Sequence, residues 1–134
     1  MQKGKVTLNE ITSQPEAWEK ALGKLTSFQD ALYNQKPNSE HAQLIFTGCG
    51  STYYLAKAAA AVTQKMTGIT ARAFPASELW LYPESAYTNQ ETKLIAISRS
   101  AETTETIRAC KLFQKEKFQR GCLLLCKGTK NKAV

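Results

Sequence analysis

The chain has 134 residues, 43% hydrophobic and 22% charged, the balance of a globular protein rather than of a disordered or fibrous one. Its formal net charge is +7, but no zinc-finger spacing, aromatic RNA-binding signature or helix-turn-helix accompanies the excess of Lys and Arg, so no nucleic acid is expected as a partner. No apolar run approaches the ~20 residues of a membrane span, and the polar start Met-Gln-Lys-Gly-Lys has no hydrophobic signal region behind it, so no membrane association is expected and the expected compartment is cytoplasmic.

Cys49, Cys110, Cys122 and Cys126 form no CxxC pair, and the chain has a single histidine, so the expectation is no metal, no cofactor and buried, reduced thiols. Cys122 and Cys126 lie four apart in an apparent strand. They would share a face about 13 Å apart, too far for one bridge.

In chain order, the first organised stretch runs from residue 7 to 35. Pro15 suits a first helical turn, and Trp18, Ala21, Leu22, Leu25, Phe28 and Leu32 follow at spacings of three and four, the pattern of an amphipathic helix. The loop Lys36 to Glu40 breaks it, with His41 at its end as a solvated or capping residue. This divides the chain into an N-terminal helical arm and loop, 1–40, and a main domain, 41–134.

The main domain opens with a strand over Gln43 to Thr47, then Gly48-Cys49-Gly50-Ser51-Thr52, then a long helix from about Thr52 to Thr67 that Gly68 ends. The two glycines permit a tight turn and close approach to an anion, and Ser51 and Thr52 supply hydroxyls at a helix N-terminus. Residues 70 to 75 fit a second strand, and Ala76 to Trp80 a short helical turn capped by Ser77. Leu94 to Ile97 is a continuous apolar run, as in a strand buried on both faces, and polarity switches abruptly at Ser98. Ser98, Ser100, Thr103 and Thr104 then surround Arg99 ahead of a helix from about Thr104 to Phe118. Gly121 to Cys126 is a fourth strand.

One helix cap needs one hydroxyl, and this second turn offers four within seven residues. Free N–H groups, the helix dipole, hydroxyl donors and a fixed arginine charge together suit a phosphate. Alternation of strand and helix predicts right-handed crossovers, a parallel sheet and ligands at the carboxyl ends of its strands, where both turns fall.

Phe46-Thr-Gly-Cys-Gly-Ser-Thr-Tyr-Tyr54 and Ile97-Ser-Arg-Ser-Ala-Glu-Thr-Thr-Glu-Thr106 resemble the two phosphosugar-binding loops of SIS (sugar isomerase) domains. Pro75-Ala-Ser-Glu-Leu79 is similar to the aminotransferase-like branch, which includes the isomerase half of glutamine:fructose-6-phosphate aminotransferase and related aminosugar isomerases and deaminases. The resemblance covers roughly residues 8 to 126. It implies a flavodoxin-like three-layer α/β sandwich that binds a sugar phosphate, a hexose or amino-hexose phosphate. Carried over by position, Gly50, Ser51 and Thr52 from the first loop, and Ser98, Arg99, Ser100 and Thr103 from the second, would hold the phosphate. Arg99 stands where some members of this branch have glutamine.

Two departures from the family pattern carry expectations of their own. Where the second loop usually reads Ser-Gly-Glu-Thr, this chain has Ala101; a positive φ there would cost alanine on the order of 1 kcal/mol and bring its methyl towards the anion, so Ala101→Gly is expected to tighten binding. The chain also stops after the fourth strand, with Lys127 to Val134 as a basic tail, whereas a complete domain of this type continues with a fifth strand and a closing helix. In the resembling enzymes the acid and base residues lie in a second copy of the domain. Catalytic residues are therefore unassigned: structural roles are expected for Glu78 and Glu105, and a sugar contact for Glu102. A non-catalytic phosphosugar sensor or interaction module is the alternative. Uncovered apolar surface on the first helix and at the unfinished sheet edge predicts a homodimer, or association with the rest of a longer chain.

Overall fold

Four parallel strands carry the main unit, in the order β2-β1-β3-β4. The computed structural model describes residues 4–33, 42–88, 90–115 and 119–126. Its elements are α1 (Lys5–Thr12), α2 (Gln14–Tyr33), β1 (Gln43–Gly48), α3 (Ser51–Thr67), β2 (Thr70–Pro75), α4 (Ala76–Leu81), a 3-10 turn (Pro83–Ser85), β3 (Thr92–Ser98), α5 (Thr104–Lys115) and β4 (Gln119–Cys126). The chain divides into two compact units, Met1–Lys36 and Pro37–Val134.

In the first unit, the expected single helix is two. Pro15 does sit in a first turn, that of α2, and a separate helix α1 precedes it. The break falls at Ser13, just ahead of Pro15, which has no N–H to donate to the Ile11 carbonyl four residues back. Trp18 and Leu22 on α2 are exposed, as are Val6, Leu8 and Ile11 on α1. The side chains of Leu25, Phe28 and Leu32 lie outside those described, as do residues 34–41 with the expected loop and His41.

In the second unit, alternation along β1 divides the core into two layers. Leu44 and Phe46 face Ala56 and Ala60 of α3, together with Ala71 of β2. Ile45 faces the other way, into a larger cluster with Leu94 and Ala96 of β3, Leu79 of α4 and Ala109, Cys110 and Phe113 of α5. Both faces of the central strands are covered, so β1 is buried along its whole length. Helix, sheet and helix make three layers, and the strand order is that of the first four strands of a flavodoxin-like sheet. Alanine in α3 does what its small size permits, letting the helix axis approach the sheet closely.

Several buried polar groups in this core pair across elements. Gln43 donates from Nε2 to Thr92 Oγ1 at 3.0 Å and to Thr88 Oγ1 at 3.3 Å. Thr47 donates to the Phe74 carbonyl at 2.8 Å, fastening β1 to the end of β2. Gln64 Oε1 accepts from Ala71 N–H at 3.0 Å, so a side chain from α3 satisfies one backbone donor of the strand at the sheet's edge.

Element ends differ from expectation by a few residues, and one cap is wrong. Ser77 does not cap α4: Pro75 holds the N-cap position, without a side-chain cap bond, and Ser77 lies inside the first turn. The fixed φ of Pro75, at −58°, sets the entry into the helix instead. β4 begins at Gln119 and α5 is described to Lys115; residues 116–118, Asn89 and the tail 127–134 lie outside the described residues. Among the described residues no helix is long and apolar enough to cross a membrane.

Candidate functional site

The strand order brings the two hydroxyl-rich turns together. From β1 the chain crosses through α3 to β2 on one side; from β3 it crosses through α5 to β4 on the other. β1 and β3 are paired neighbours whose ends are level, with Thr47 opposite Ala96, and strands in a sheet lie about 5 Å apart. The crevice between two strands whose connections leave in opposite directions is where ligands bind in open α/β sheets. Gly50, Ser51 and Thr52 stand on one side of that crevice, and Ser98 to Thr103 on the other.

The first turn is shaped by two glycines with different tasks. Gly50 has φ 58° and ψ −125°, a conformation that a side chain would strain, and it forms the N-cap of α3 without a side-chain bond. Gly48 is needed for space, because a β-carbon there would lie 2.6 Å from Thr52 Oγ1. Thr52 accordingly points back into the turn: its hydroxyl accepts from Cys49 N–H at 3.0 Å and lies 3.0 Å from the Cys49 carbonyl, to which it donates. Thr52 is a clamp on the loop. Ser51 is exposed at the first position of α3, beside the helix's free N–H groups. Cys49 is an exposed free thiol, contrary to the expectation that all the cysteines are buried; Cys110 is buried and Cys122 half-buried, while the Cys126 side chain lies outside those described.

The second turn uses its serines in the same two ways. Ser98 is buried at the end of β3, where Oγ accepts from Ala101 N–H at 3.1 Å and lies 3.4 Å from Thr103 Oγ1. Ser100 is exposed and accepts from Glu102 N–H at 3.1 Å, which leaves its own O–H hydrogen to be donated outward. The Arg99 side chain is exposed. Of the seven residues singled out in the sequence, Ser51, Arg99 and Ser100 are therefore exposed, Thr52 and Ser98 tie the turns to their own backbone, Thr103 lies half-buried against Ser98, and Gly50 supplies the bend.

Ala101 has φ 59°, the only positive φ at a non-glycine position among the described residues. The backbone strain expected there is present, and Ala101 is half-buried against the inner core cluster. Glu78 accepts from Ser85 Oγ at 3.2 Å, a bond that joins α4 to the following turn, and Glu105 lies in the first turn of α5. Glu102 is exposed beside Ser100. At the inner core cluster, the proximity of Cys110 and Cys122 lowers the Cys110 pKa and, together with burial, raises that of Cys122. Burial, with these two thiols close by, pushes the Tyr87 phenol well above its ordinary range.

Comparison with known proteins places the fold in a family. The family model for the SIS domain matches residues 38–134. Glutamine--fructose-6-phosphate aminotransferase [isomerizing] of Chlamydia abortus is 30% identical over 121 residues, covering 87% of this chain and 19% of its own length. The crystal structure of tagatose-6-phosphate ketose/aldose isomerase from Escherichia coli superposes with a TM-score of 0.76 at 27% identity, over 88% of this chain and 32% of that one. The C-terminal domain of glucosamine-fructose-6-phosphate aminotransferase from Francisella tularensis shares the fold, with a TM-score of 0.55 at 19% identity over 66% of this chain and 24% of its own. This chain thus spans about a fifth of the curated relative and about a third of the E. coli isomerase. With a flavodoxin-like strand order, two hydroxyl-rich turns at its switch point and a family match across the whole second unit, the chain belongs to the SIS domain family.

Proposed function

We propose that the chain binds a phosphorylated sugar, a hexose or amino-hexose phosphate, as the first SIS domain of a protein of the sugar-phosphate isomerase and aminotransferase type. The observation that carries this reading is the pairing of two hydroxyl-rich helix N-termini at one switch point, with Arg99 beside them. Ser51 and Ser100 donate hydroxyl hydrogens to the phosphate, and Arg99 adds a charge-assisted contact. Thr52, Ser98 and Thr103 hold the two loops in the receptive shape. The names of the relatives, enzymes of fructose 6-phosphate and tagatose 6-phosphate, point to the same ligand class.

No catalytic step is assigned to this chain. Moving a proton between adjacent sugar carbons requires a base and an acid within hydrogen-bond reach of the sugar. Glu78, the carboxylate that follows the β2–α4 turn, is engaged by Ser85. The exposed free thiol of Cys49 and the absence of a disulfide pattern favour the cytoplasm.

Calorimetric titration with fructose 6-phosphate and with fructose tests the proposal. The phosphorylated sugar should bind and the free sugar should bind at least about a hundred-fold more weakly, as loss of two charge-assisted hydrogen bonds implies. Equal affinity for the two sugars would overturn it.

A further inference from the structure

Helices α4 and α5 border a groove of about 210 Å³ in the layer opposite α3, lined by Trp80, Arg108, Lys111, Leu112 and Lys115. Lys111, Leu112 and Lys115 follow Arg108 by three, four and seven residues, so all four share one face of α5, and the three cations make a row about 10 Å long at about 1.5 Å per residue. Like charges at such spacings repel one another and disfavour the helix. No carboxylate offsets them: among the described residues none of the three makes an ion pair, and Glu105, one turn before Arg108, does not engage it. The Arg108 guanidinium lies instead 4.8 Å from the centre of the Trp80 ring, an arrangement that holds its planar donors in place. The dipole of α5 explains Lys115 in the last turn but not Arg108 in the second.

We propose that this groove docks an acidic peptide segment of another protein, one apolar side chain resting on Trp80 and Leu112 and its carboxylates meeting Arg108, Lys111 and Lys115. Charge selects the sign of the partner: three uncompensated cations on a chain of net charge +7 attract an anionic segment and repel a basic one. Size selects a peptide. The groove is smaller than the roughly 300 to 1,000 Å³ that encloses a small-molecule ligand, so it takes one side chain rather than a whole ligand. Alternate residues of an extended segment share a face, so an apolar residue with acids two positions to either side presents all three to the groove over about 13 Å, within reach of the long side chains at the ends of the row. A row of this length, with one aromatic ring, falls short of the roughly four nucleotides that the smallest single-strand sites span. The contact stands apart from the phosphosugar reading, because none of the five lining residues belongs to either hydroxyl-rich turn.

Trp80 is its own reporter, since Trp18→Phe leaves it as the one tryptophan of the chain. Fluorescence titration of that full-length variant with the peptide acetyl-Glu-Glu-Leu-Glu-Glu-amide, up to about 1 mM, tests the groove. The expected result is a saturable change that weakens as salt is added and that acetyl-Lys-Lys-Leu-Lys-Lys-amide does not produce. Replacing the leucine of the peptide by serine should weaken binding at least about five-fold, through loss of the apolar contact. Lys111→Glu should weaken it at least about ten-fold with far-UV circular dichroism unchanged, because a glutamate four residues before Lys115 favours the helix. Lys65→Glu, the same change of charge on α3, should weaken it less than about two-fold. No saturation below about 1 mM, equal loss from the two charge reversals, indifference to the leucine, or tighter binding of pyrophosphate or of a short oligothymidylate than of the peptide would each overturn the proposal.

Discussion

A β-carbon on Gly48 would lie 2.6 Å from Thr52 Oγ1 and 2.8 Å from the Thr52 carbonyl oxygen, so the first turn of α3 rests directly on the end of β1. The close approach is what allows the Thr52 hydroxyl to reach both backbone groups of Cys49. Gly48→Ala should therefore destabilise the domain by about 1 to 3 kcal/mol, the usual cost of forcing extra volume against backbone. The midpoint of urea unfolding measures it, and an unchanged midpoint would show that the turn relaxes without loss.

Ser100 and Thr52 should separate binding from folding. Ser100 is exposed, so Ser100→Ala should leave the unfolding midpoint within about 0.5 kcal/mol of wild type while weakening fructose 6-phosphate at least ten-fold, about 1.5 to 3 kcal/mol. Thr52→Ala removes the clamp on Cys49 and should cost about 0.5 to 2 kcal/mol of stability as well as affinity. Parallel calorimetric and denaturant titrations of the two variants check the contrast.

Ala101→Gly should change sugar-phosphate affinity less than about two-fold, because the methyl packs on the core and the Ala101 N–H already donates to Ser98 Oγ. Relief of positive φ offers roughly 1 kcal/mol, whereas losing a buried methyl costs about 0.8 kcal/mol and added unfolded-chain freedom about 0.4 to 1. The stability change should thus be a loss of less than about 1 kcal/mol. A several-fold gain in affinity would mean that the alanine does obstruct the anion.

Tyr87 sets an alkaline limit. Its hydroxyl is buried, and among the described residues it has no hydrogen-bond partner, so the phenol stays neutral in the fold well above the unfolded pKa of about 10. A group whose folded pKa is raised contributes stability below its unfolded pKa and loses it as pH climbs towards the folded one. Unfolding free energy should accordingly fall above pH ~10, and Tyr87→Phe should flatten that fall. The same variant should gain about 1 kcal/mol at neutral pH by removing an unpaired buried hydroxyl. A variant with an unchanged alkaline limb would assign the effect to Cys110 and Cys122.

Much of this was legible in the chain itself, because strands and turns are written locally. The apolar run Leu94 to Ile97 ending abruptly at Ser98, and Phe46-Thr47 giving way to Gly48, mark strand ends by composition alone, and hydroxyls clustered there mark helix starts. The pairing of β1 with β3 rather than with β2 alone is non-local, yet it decides that the two turns share one crevice. Which hydroxyls face outward was also beyond the sequence. Ser98 and Ser100 are the same residue two positions apart, but strand pairing buries the first against Ala101 and Thr103 and leaves the second exposed. Composition places both in the turn; only the packing of β3 between its neighbours separates the buried one that shapes the loop from the one left exposed.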